Sequence, residues 1–438
     1  MTIAPKTPFE PSLRPAAPGP VVGGVVDGTT EGPVQIRGPL RRLLIGFPSA
    51  TFVISLVWGS VPSVLLALQV QQSLGEADKI ANLAIITTIG GIISMLSQPV
   101  AGLLSDRTRS RFGKRAPWIV LGALVGGMSL IGMSFASTLV SFTVAWVCII
   151  IGFNFAQGPL TAVLPDRVPR AVRGTFAGLI GLGSMFGSMG GQIFGATMSD
   201  RIPLAYYLLA GIAIIGLTLF VVLNKDRSSA GEPLERFSLL TFLGTFWVNP
   251  IKYPNFFWAF VSRLALSTGY SIVFGYKLYV LQDYVGLGDD AVTVLPLMGI
   301  VAILGLLSTT VIAGRLSDKI GRRKIFVIVG AFVVAGAVLI PLAMPTTLGL
   351  LIMAGIGGMG YGCFQAVDTA LISEVLPTQS SYAKDLGVVN MAASLPQILA
   401  PSIAGIVVIT FGYGALFPVG AICAVLAGVL VTRIRSVR

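Results

Sequence analysis

The sequence predicts an all-α membrane protein in which twelve transmembrane helices form two similar six-helix bundles. Hydrophobic residues make up 54% of its 438 residues, charged residues only 11%, and the mean hydropathy is +0.86. A soluble domain carries about 25% charged residues. In addition, long apolar stretches follow one another along the chain, and the second half repeats features of the first.

Short polar loops separate twelve apolar stretches, each of about 20 or more residues. A helix rises about 1.5 Å per residue, so about 20 residues cross a hydrocarbon core of about 30 Å. We therefore expect spans at residues 43–69, 80–104, 117–136, 139–164, 174–198, 203–223, 256–282, 291–316, 325–344, 347–375, 387–410 and 412–432.

One short string occurs twice, 212 residues apart. The string GLLSDR at Gly102–Arg107 returns as GRLSDK at Gly314–Lys319, each time between two apolar stretches. The string VLP at Val163–Pro165 returns at Val375–Pro377 with the same offset. Two matches at one offset indicate a duplicated half, which is typical of secondary transporters.

The basic residues lie mostly on one side of the predicted spans. Of 30 Lys and Arg residues, 26 fall in the termini and the even-numbered loops. The positive-inside rule then places both termini in the cytoplasm, in a plasma membrane of the bacterial type. The net charge of +12 is thereby explained by topology, and we expect no nucleic-acid partner.

The predicted organisation has five parts. A disordered cytoplasmic tail (1–42) precedes an amino-terminal bundle (43–223), and a cytoplasmic linker with an interfacial helix (224–255) leads to a carboxyl-terminal bundle (256–433) and a short tail (434–438). The first tail is rich in Pro and Gly, a composition typical of disorder. Because the first apolar run begins late and is long, it does not resemble a cleavable signal.

The repeated strings also resemble a known family. The motif G-x-L-S-D-R/K after spans two and eight, the twelve spans and the long central loop are similar to the major facilitator superfamily over residues 43–433. The loop Asp106–Trp118, DRTRSRFGKRAPW, resembles that of glycoside-pentoside-hexuronide and sucrose-type sugar symporters, and Pro165–Gly174 resembles the family element P-x-x-R-G. The resemblance implies the major facilitator fold and alternating access around a site near the membrane midplane.

Charged residues on the cytoplasmic side are candidates for a gate. Asp106 and Asp318 each end a helix among basic residues, where a carboxylate can pair with Arg or cap a helix. The resemblance implies that the matching Asp belongs to a cytoplasmic clamp between the halves; alternatively, these charges only set the topology. The expected gate comprises Asp106, Arg107, Arg111, Asp166, Arg170, Arg173, Asp318, Arg322 and Glu374.

Three charged residues lie within spans, where each costs at least ~2.5 kcal/mol unless it is paired or hydrated. Arg263 and Asp368 lie at similar depths, and the resemblance implies that helices seven and ten line the cavity. We expect an ion pair that forms and breaks during transport, with Asp368 as the proton-coupling site; a permanent structural pair is the alternative. Lys277 could face the cavity, but we favour a position at the outer surface or a pair with Asp283.

Amides and aromatic rings within the spans suit a neutral polyhydroxyl ligand, because amides bond hydroxyl groups and rings stack on sugars. Each of them could instead hold helices together. Glycines at four-residue spacing, Gly183 to Gly195, predict a smooth contact between the halves. The substrate-binding candidates are Trp58, Asn154, Gln157, Tyr270, Tyr361, Gln365, Asn390 and Gln397.

The composition argues against an enzyme. The chain has no His and three Cys in apolar spans, without a metal motif, and its spans lack clustered carboxylates, so we expect neither metal nor cofactor. We predict a secondary transporter, active as a monomer in the lipid bilayer, that moves a neutral sugar or glycoside with protons. The alternative is an efflux antiporter or a transporter of hydrophobic drugs or small organic anions, with Arg263 as the anion contact.

Overall fold

The computed structural model describes residues 37–231, 253–375 and 382–434. The predictions of a disordered first tail and of an interfacial helix in the linker fall almost entirely outside these ranges.

Twelve long helices, joined mostly by short turns, run through the described ranges. In chain order they are α1 (Pro39–Leu74), α2 (Lys79–Arg107), α3 (Ala116–Met133), α4 (Leu139–Arg167), α5 (Arg173–Thr197), α6 (Ile202–Leu223), α7 (Pro254–Gly275), α8 (Ala291–Ile320), α9 (Arg323–Ala343), α10 (Thr347–Val375), α11 (Tyr382–Phe411) and α12 (Leu416–Thr432).

Eleven of these helices within the described ranges are long and apolar enough to cross a membrane. The exception is α5, whose eight glycines contribute little hydropathy. The helices agree with the predicted spans within a few residues at most ends. The all-α membrane fold predicted from the sequence is therefore confirmed.

The seventh span departs from the prediction of one continuous helix over 256–282. Here α7 ends at Gly275, and a single turn, Lys277–Tyr279, continues into a π-helical turn, Val280–Tyr284. Tyr276 between them leaves the helical region, with φ −107° and ψ 17°. Glycine at a helix end offers little resistance to such a break.

Helix packing repeats between the two halves. In the first half, α1 packs on α5 and α6, α4 packs on α2 and α3, and α3 also packs on α6. Adding six to each helix number gives pairs that also pack in the second half: α7 on α11 and α12, α10 on α8 and α9, and α9 on α12. Between the halves, α2 packs on α11 and α5 on α8, which are equivalent under the same exchange. The predicted pair of similar bundles is thus visible in the packing.

The glycine stripe of α5 lies against α1, inside the first half. A Cβ atom on Gly187 would come within 2.4 Å of the carbonyl oxygen of Phe52, and one on Gly191 within 2.2 Å of that of Leu56. The prediction that this stripe forms a contact between the halves is therefore wrong. Four-residue spacing makes one face of a helix smooth, but it does not select the neighbour.

The two ends of the bundle carry different loops. Twelve crossings return the chain to its starting side, and Lys324 Nζ at the start of α9 donates to the carbonyl oxygen of Ile434 near the chain end. We call this end the terminal face; it also carries the loop 108–115. The other end, which carries the loop 75–78, is called the opposite face.

Candidate functional site

A cavity of about 470 Å³ lies between the two halves. Helices α1, α2, α4 and α11 and the broken end of α7 line it, whereas α10 contributes no lining residue in the described ranges. The expectation that α10 lines the cavity is therefore not met. The volume is within the range of about 300–1,000 Å³ that is typical of small-molecule sites.

Polar side chains of the first half are held in place at the cavity wall. Trp58 Nε1 donates to Gln157 Oε1 at 3.1 Å. Asn154 Nδ2 donates to the hydroxyls of Ser94 at 3.1 Å and Ser97 at 2.7 Å. The ring of Trp58 also meets that of Trp146 edge-on, at 6.2 Å between centroids. This wall therefore combines oriented amides with a fixed indole.

Four of the eight predicted substrate contacts line the cavity: Trp58, Asn154, Gln157 and Gln397. Tyr270 and Tyr361 lie behind the wall and stack on each other at 4.4 Å, and Tyr270 also stacks on the lining residue Phe274 at 4.1 Å. Among the other candidates, Gln365 is exposed outside the lining and the side chain of Asn390 is outside the described part.

Arg263 and Asp368 are close to each other, with Arg263 Nη1 3.4 Å from Asp368 Oδ2. Asp368 is only 3% exposed. Both residues belong to the second half, on α7 and α10, and neither lines the cavity. Tyr361 lies on the same helix as Asp368, seven residues and thus about two turns away. A row of rings, from Tyr361 through Tyr270 to Phe274, therefore connects the pair with the cavity wall.

Lys277 lines the cavity and joins the halves. Its Nζ donates to Gln192 Oε1 of α5 at 2.6 Å. The favoured prediction, a position at the outer surface or a pair with Asp283, is wrong because Lys277 lines the cavity and Asp283 pairs with Lys79. The sequence shows Gly275 and a polar Gln192 within a span, but it does not show that they meet.

Asp283 instead belongs to a group of side chains at the opposite face. Lys79, which is 3% exposed, places Nζ 2.9 Å from Asp283 Oδ2 and also pairs with Glu76. The hydrogen bond from Lys79 lowers the pKa of Glu76 below its ordinary value. Tyr279 and Tyr413 complete this group, with the ring of Tyr279 4.9 Å from Lys79 Nζ and the hydroxyl of Tyr413 donating to Asp283.

We call Glu76, Lys79, Tyr279, Asp283 and Tyr413 the opposite-face cluster. Lys79 comes from the first half and Asp283 from the second, so the cluster ties the halves together. Two further contacts reinforce it: Tyr279 donates to the carbonyl oxygen of Ala67 at 2.9 Å, and the hydroxyls of Thr88 and Ser402 lie 2.8 Å apart. The sequence offered one signal, a basic residue on the side where few occur.

At the terminal face, Arg115 connects two of the predicted gate residues. Its Nη2 lies 2.6 Å from Asp106 Oδ1 and 2.9 Å from Asp166 Oδ2. Its Nη1 donates to Ser105 Oγ at 2.6 Å, and the residue is 7% exposed. These contacts of Asp106 and Asp166 lie within the first half. Sequence reasoning missed Arg115, which is one of five basic residues in its loop.

The other predicted gate residues have varied surroundings. Arg173 donates to the carbonyl oxygens of Val168 at 2.9 Å and Pro165 at 2.8 Å. The guanidinium of Arg111 lies 4.7 Å from the ring centre of Phe112. Arg107 belongs to the last turn of α2, and Arg322 is exposed just before α9. The side chains that lie outside the described part are those of Arg170, Asp318 and Glu374.

Two similar membrane bundles around a central cavity define the class of secondary transporters. A profile of the Major Facilitator Superfamily matches residues 44–380 and 303–438. The chain belongs to this superfamily, as the motifs predicted. A transporter of this family acts on a small-molecule substrate and is not expected to be an enzyme.

Several relatives have sequence similarity over limited lengths. The general alpha-glucoside permease of Schizosaccharomyces pombe is 26% identical over 36% of this chain and 34% of its own length. The sucrose transport protein SUC4 of Arabidopsis thaliana is 27% identical over 35% of this chain and 34% of its length. The matched part thus spans about a third of these relatives. The multidrug resistance protein MdtL of Shewanella oneidensis is 32% identical over 27% of this chain and 29% of its length.

Among solved structures, a variant of the nucleoside transporter NupG has the same fold. Its TM-score is 0.71, and the alignment covers 90% of this chain and 99% of that chain at 15% sequence identity. At this identity the likeness concerns the fold alone. It agrees with the major facilitator fold that the sequence predicts.

Proposed function

We propose that the chain is a proton-linked transporter that moves a small hydroxylated solute of the sugar or glycoside class across the plasma membrane. The observation that carries the proposal is the cavity between the halves, where Trp58, Asn154, Gln157 and Gln397 line the wall. Amides bond hydroxyl groups and an indole can stack on a sugar ring. The two sugar-transporting relatives support the same cargo class.

The proposed mechanism is alternating access. The opposite-face cluster holds the halves together on one side of the cavity, and it must open to admit cargo from that side. In this proposal the terminal face is cytoplasmic, as the positive-inside rule predicts, and the opposite-face contacts would then close the exterior side. In the outward-open state, the helix ends that carry Asp106 and Asp318 would close the terminal face. One chain supplies both walls of the cavity, which supports a monomeric working unit.

Asp368 is the proposed proton site, with Arg263 as its partner. An ionised carboxylate within the membrane is costly unless it is paired, and Arg263 supplies the counter-charge. Protonation of Asp368 would remove that attraction and free Arg263 to move. The ring row from Tyr361 to Phe274 offers a route by which such a movement reaches the cavity wall.

Proton movement in liposomes tests this proposal. Purified protein is reconstituted, and external pH is followed after addition of single mono- and disaccharides. We expect the external solution to become alkaline with a transported sugar, and Asp368→Asn to abolish this pH change while Asp200→Asn, an exposed carboxylate outside the cavity, preserves it. Sugar-linked proton movement that persists unchanged in Asp368→Asn contradicts the coupling role.

Export is the second candidate function, and the similarity to MdtL favours it. An antiporter moves protons against the direction of its cargo. In the same liposomes, cargo entry would therefore make the external solution acidic rather than alkaline. The sign of the pH change separates the two functions.

A further inference from the structure

Lys277 is a cation on the cavity wall whose partner in the structure is a neutral amide. Its Nζ lies 2.6 Å from Gln192 Oε1, and Gln192 is itself 8% exposed. Three other cations of the described ranges show the contrast, since each has a carboxylate partner: Arg263 has Asp368, Lys79 has Glu76 and Asp283, and Arg115 has Asp106 and Asp166. An amide oxygen offsets only part of the cost of removing an ammonium group from water.

The remainder of the cavity lining does not supply the missing negative charge. Among the described residues that line it, Lys277 is the only charged one, and the others are apolar, aromatic, amide or hydroxyl side chains. Tyr276 beside it is engaged, because its hydroxyl donates to the carbonyl oxygen of Pro401 at 3.2 Å. The described lining of the cavity therefore carries one cation and no anion, and a negatively charged ligand would complement it.

We infer that the cargo carries a carboxylate that binds Lys277, while hydroxyl groups of the same molecule bind the amides of the first half. The ligand class is an acidic sugar or another polyhydroxy acid, in place of a neutral sugar. This inference rests on the proposed function, since it concerns the charge of a cargo in the same cavity. It also replaces Arg263 by Lys277 as the anion contact, because Arg263 is paired and lies behind the wall.

Binding of a cargo carboxylate to Lys277 would also affect the hydrogen bond between Lys277 and Gln192. Lys277 belongs to the second half and Gln192 to the first, so their hydrogen bond is part of the joint between the halves. A cargo carboxylate that takes Lys277 from Gln192 would weaken this joint. Cargo binding and opening of the opposite face would then be linked by one side chain.

Binding of matched acid and neutral solutes tests the inference. D-glucuronate and D-glucose differ at one carbon, as do D-gluconate and D-sorbitol, and each is titrated against the purified full-length protein in detergent. We expect an acid to bind at least about tenfold more tightly than its neutral counterpart, since a charge-assisted hydrogen bond corresponds to about 10- to 100-fold in affinity. Lys277→Gln should remove this preference and Lys277→Arg should keep part of it.

Arg201→Gln, which removes an exposed cation outside the cavity, is the matched control and should leave the preference intact. Equal affinities within both pairs, no binding of either acid to the native protein, or a preference that survives Lys277→Gln would each overturn the inference. Binding of a neutral sugar that is lost in Asn154→Ala but unaffected by Lys277→Gln would overturn it while leaving the proposed function standing.

Discussion

Arg115 illustrates how one side chain organises the terminal face. Its guanidinium bridges Asp106 at the end of α2 and Asp166 near the end of α4, while its own position just before α3 brings a third helix into the joint. The repeated motif predicted that Asp106 would find an Arg. It could not identify which one, because the loop has five basic residues and the sequence does not show that Arg115 is the buried one among them.

Arg115→Gln should lower the free energy of unfolding. Two carboxylates would lose a shared cation and Ser105 would lose a donor, which we expect to cost about 1–3 kcal/mol, given that both carboxylates are partly exposed. Thermal unfolding in detergent measures the change. Arg111→Gln is the control, because Arg111 is exposed and a change there should stay within about 0.5 kcal/mol. Equal losses in the two variants would contradict this role of Arg115.

At the scale of helices, α1 and α5 approach each other backbone to backbone. The four-residue glycine spacing predicted close packing, and the structure has it, but against α1 and not across the halves. The break in α7 is a similar case. Gly275 was visible as a site where a bend is possible, yet the direction taken by Lys277 depends on how α5 packs nearby, which the local sequence does not specify.

Adding a single methyl group to a glycine of this α5 stripe should therefore force α1 and α5 apart. Gly191→Ala places a Cβ 2.2 Å from the carbonyl oxygen of Leu56, and we expect a loss of about 1–3 kcal/mol in unfolding free energy. Gly181→Ala in the same helix is the control, because nothing lies within 4 Å of its Cβ, and alanine there should be neutral or slightly stabilising. Equal free energies of unfolding for the two variants would contradict the close approach of α1 and α5.

At the scale of the whole molecule, the two halves and their helices were predictable and the contacts between them were not. Apolar length and repeated strings are properties of the sequence itself, so the spans and the duplication could be read directly. Lys79 and Asp283 are 204 residues apart. Whether they meet depends on how the two halves are placed in one conformational state. Local sequence patterns do not specify that placement. Among the substrate candidates whose side chains the structure describes, Tyr270, Tyr361 and Gln365 lie outside the lining, because a residue type within a span does not specify which helix face meets the cavity.

The proposed mechanism requires the halves to separate at the opposite face in every cycle. Thr88 and Ser402 face each other across the joint, with their hydroxyls 2.8 Å apart. Cysteines at both positions are expected to form a disulfide, since the two hydroxyl oxygens that the sulfur atoms would replace lie 2.8 Å apart. Such a bond would hold the opposite face closed. The native cysteines, Cys148, Cys363 and Cys423, would be replaced by Ser beforehand.

The most direct test of alternating access is therefore exchange of a radiolabelled solute by liposomes that contain the Thr88→Cys, Ser402→Cys double variant, before and after oxidation. We expect oxidation to abolish exchange, a reducing agent to restore it, and the Thr88→Cys single variant to be unaffected. Exchange that continues at the same rate in fully cross-linked protein would show that the halves need not part at the opposite face, and it would contradict the mechanism.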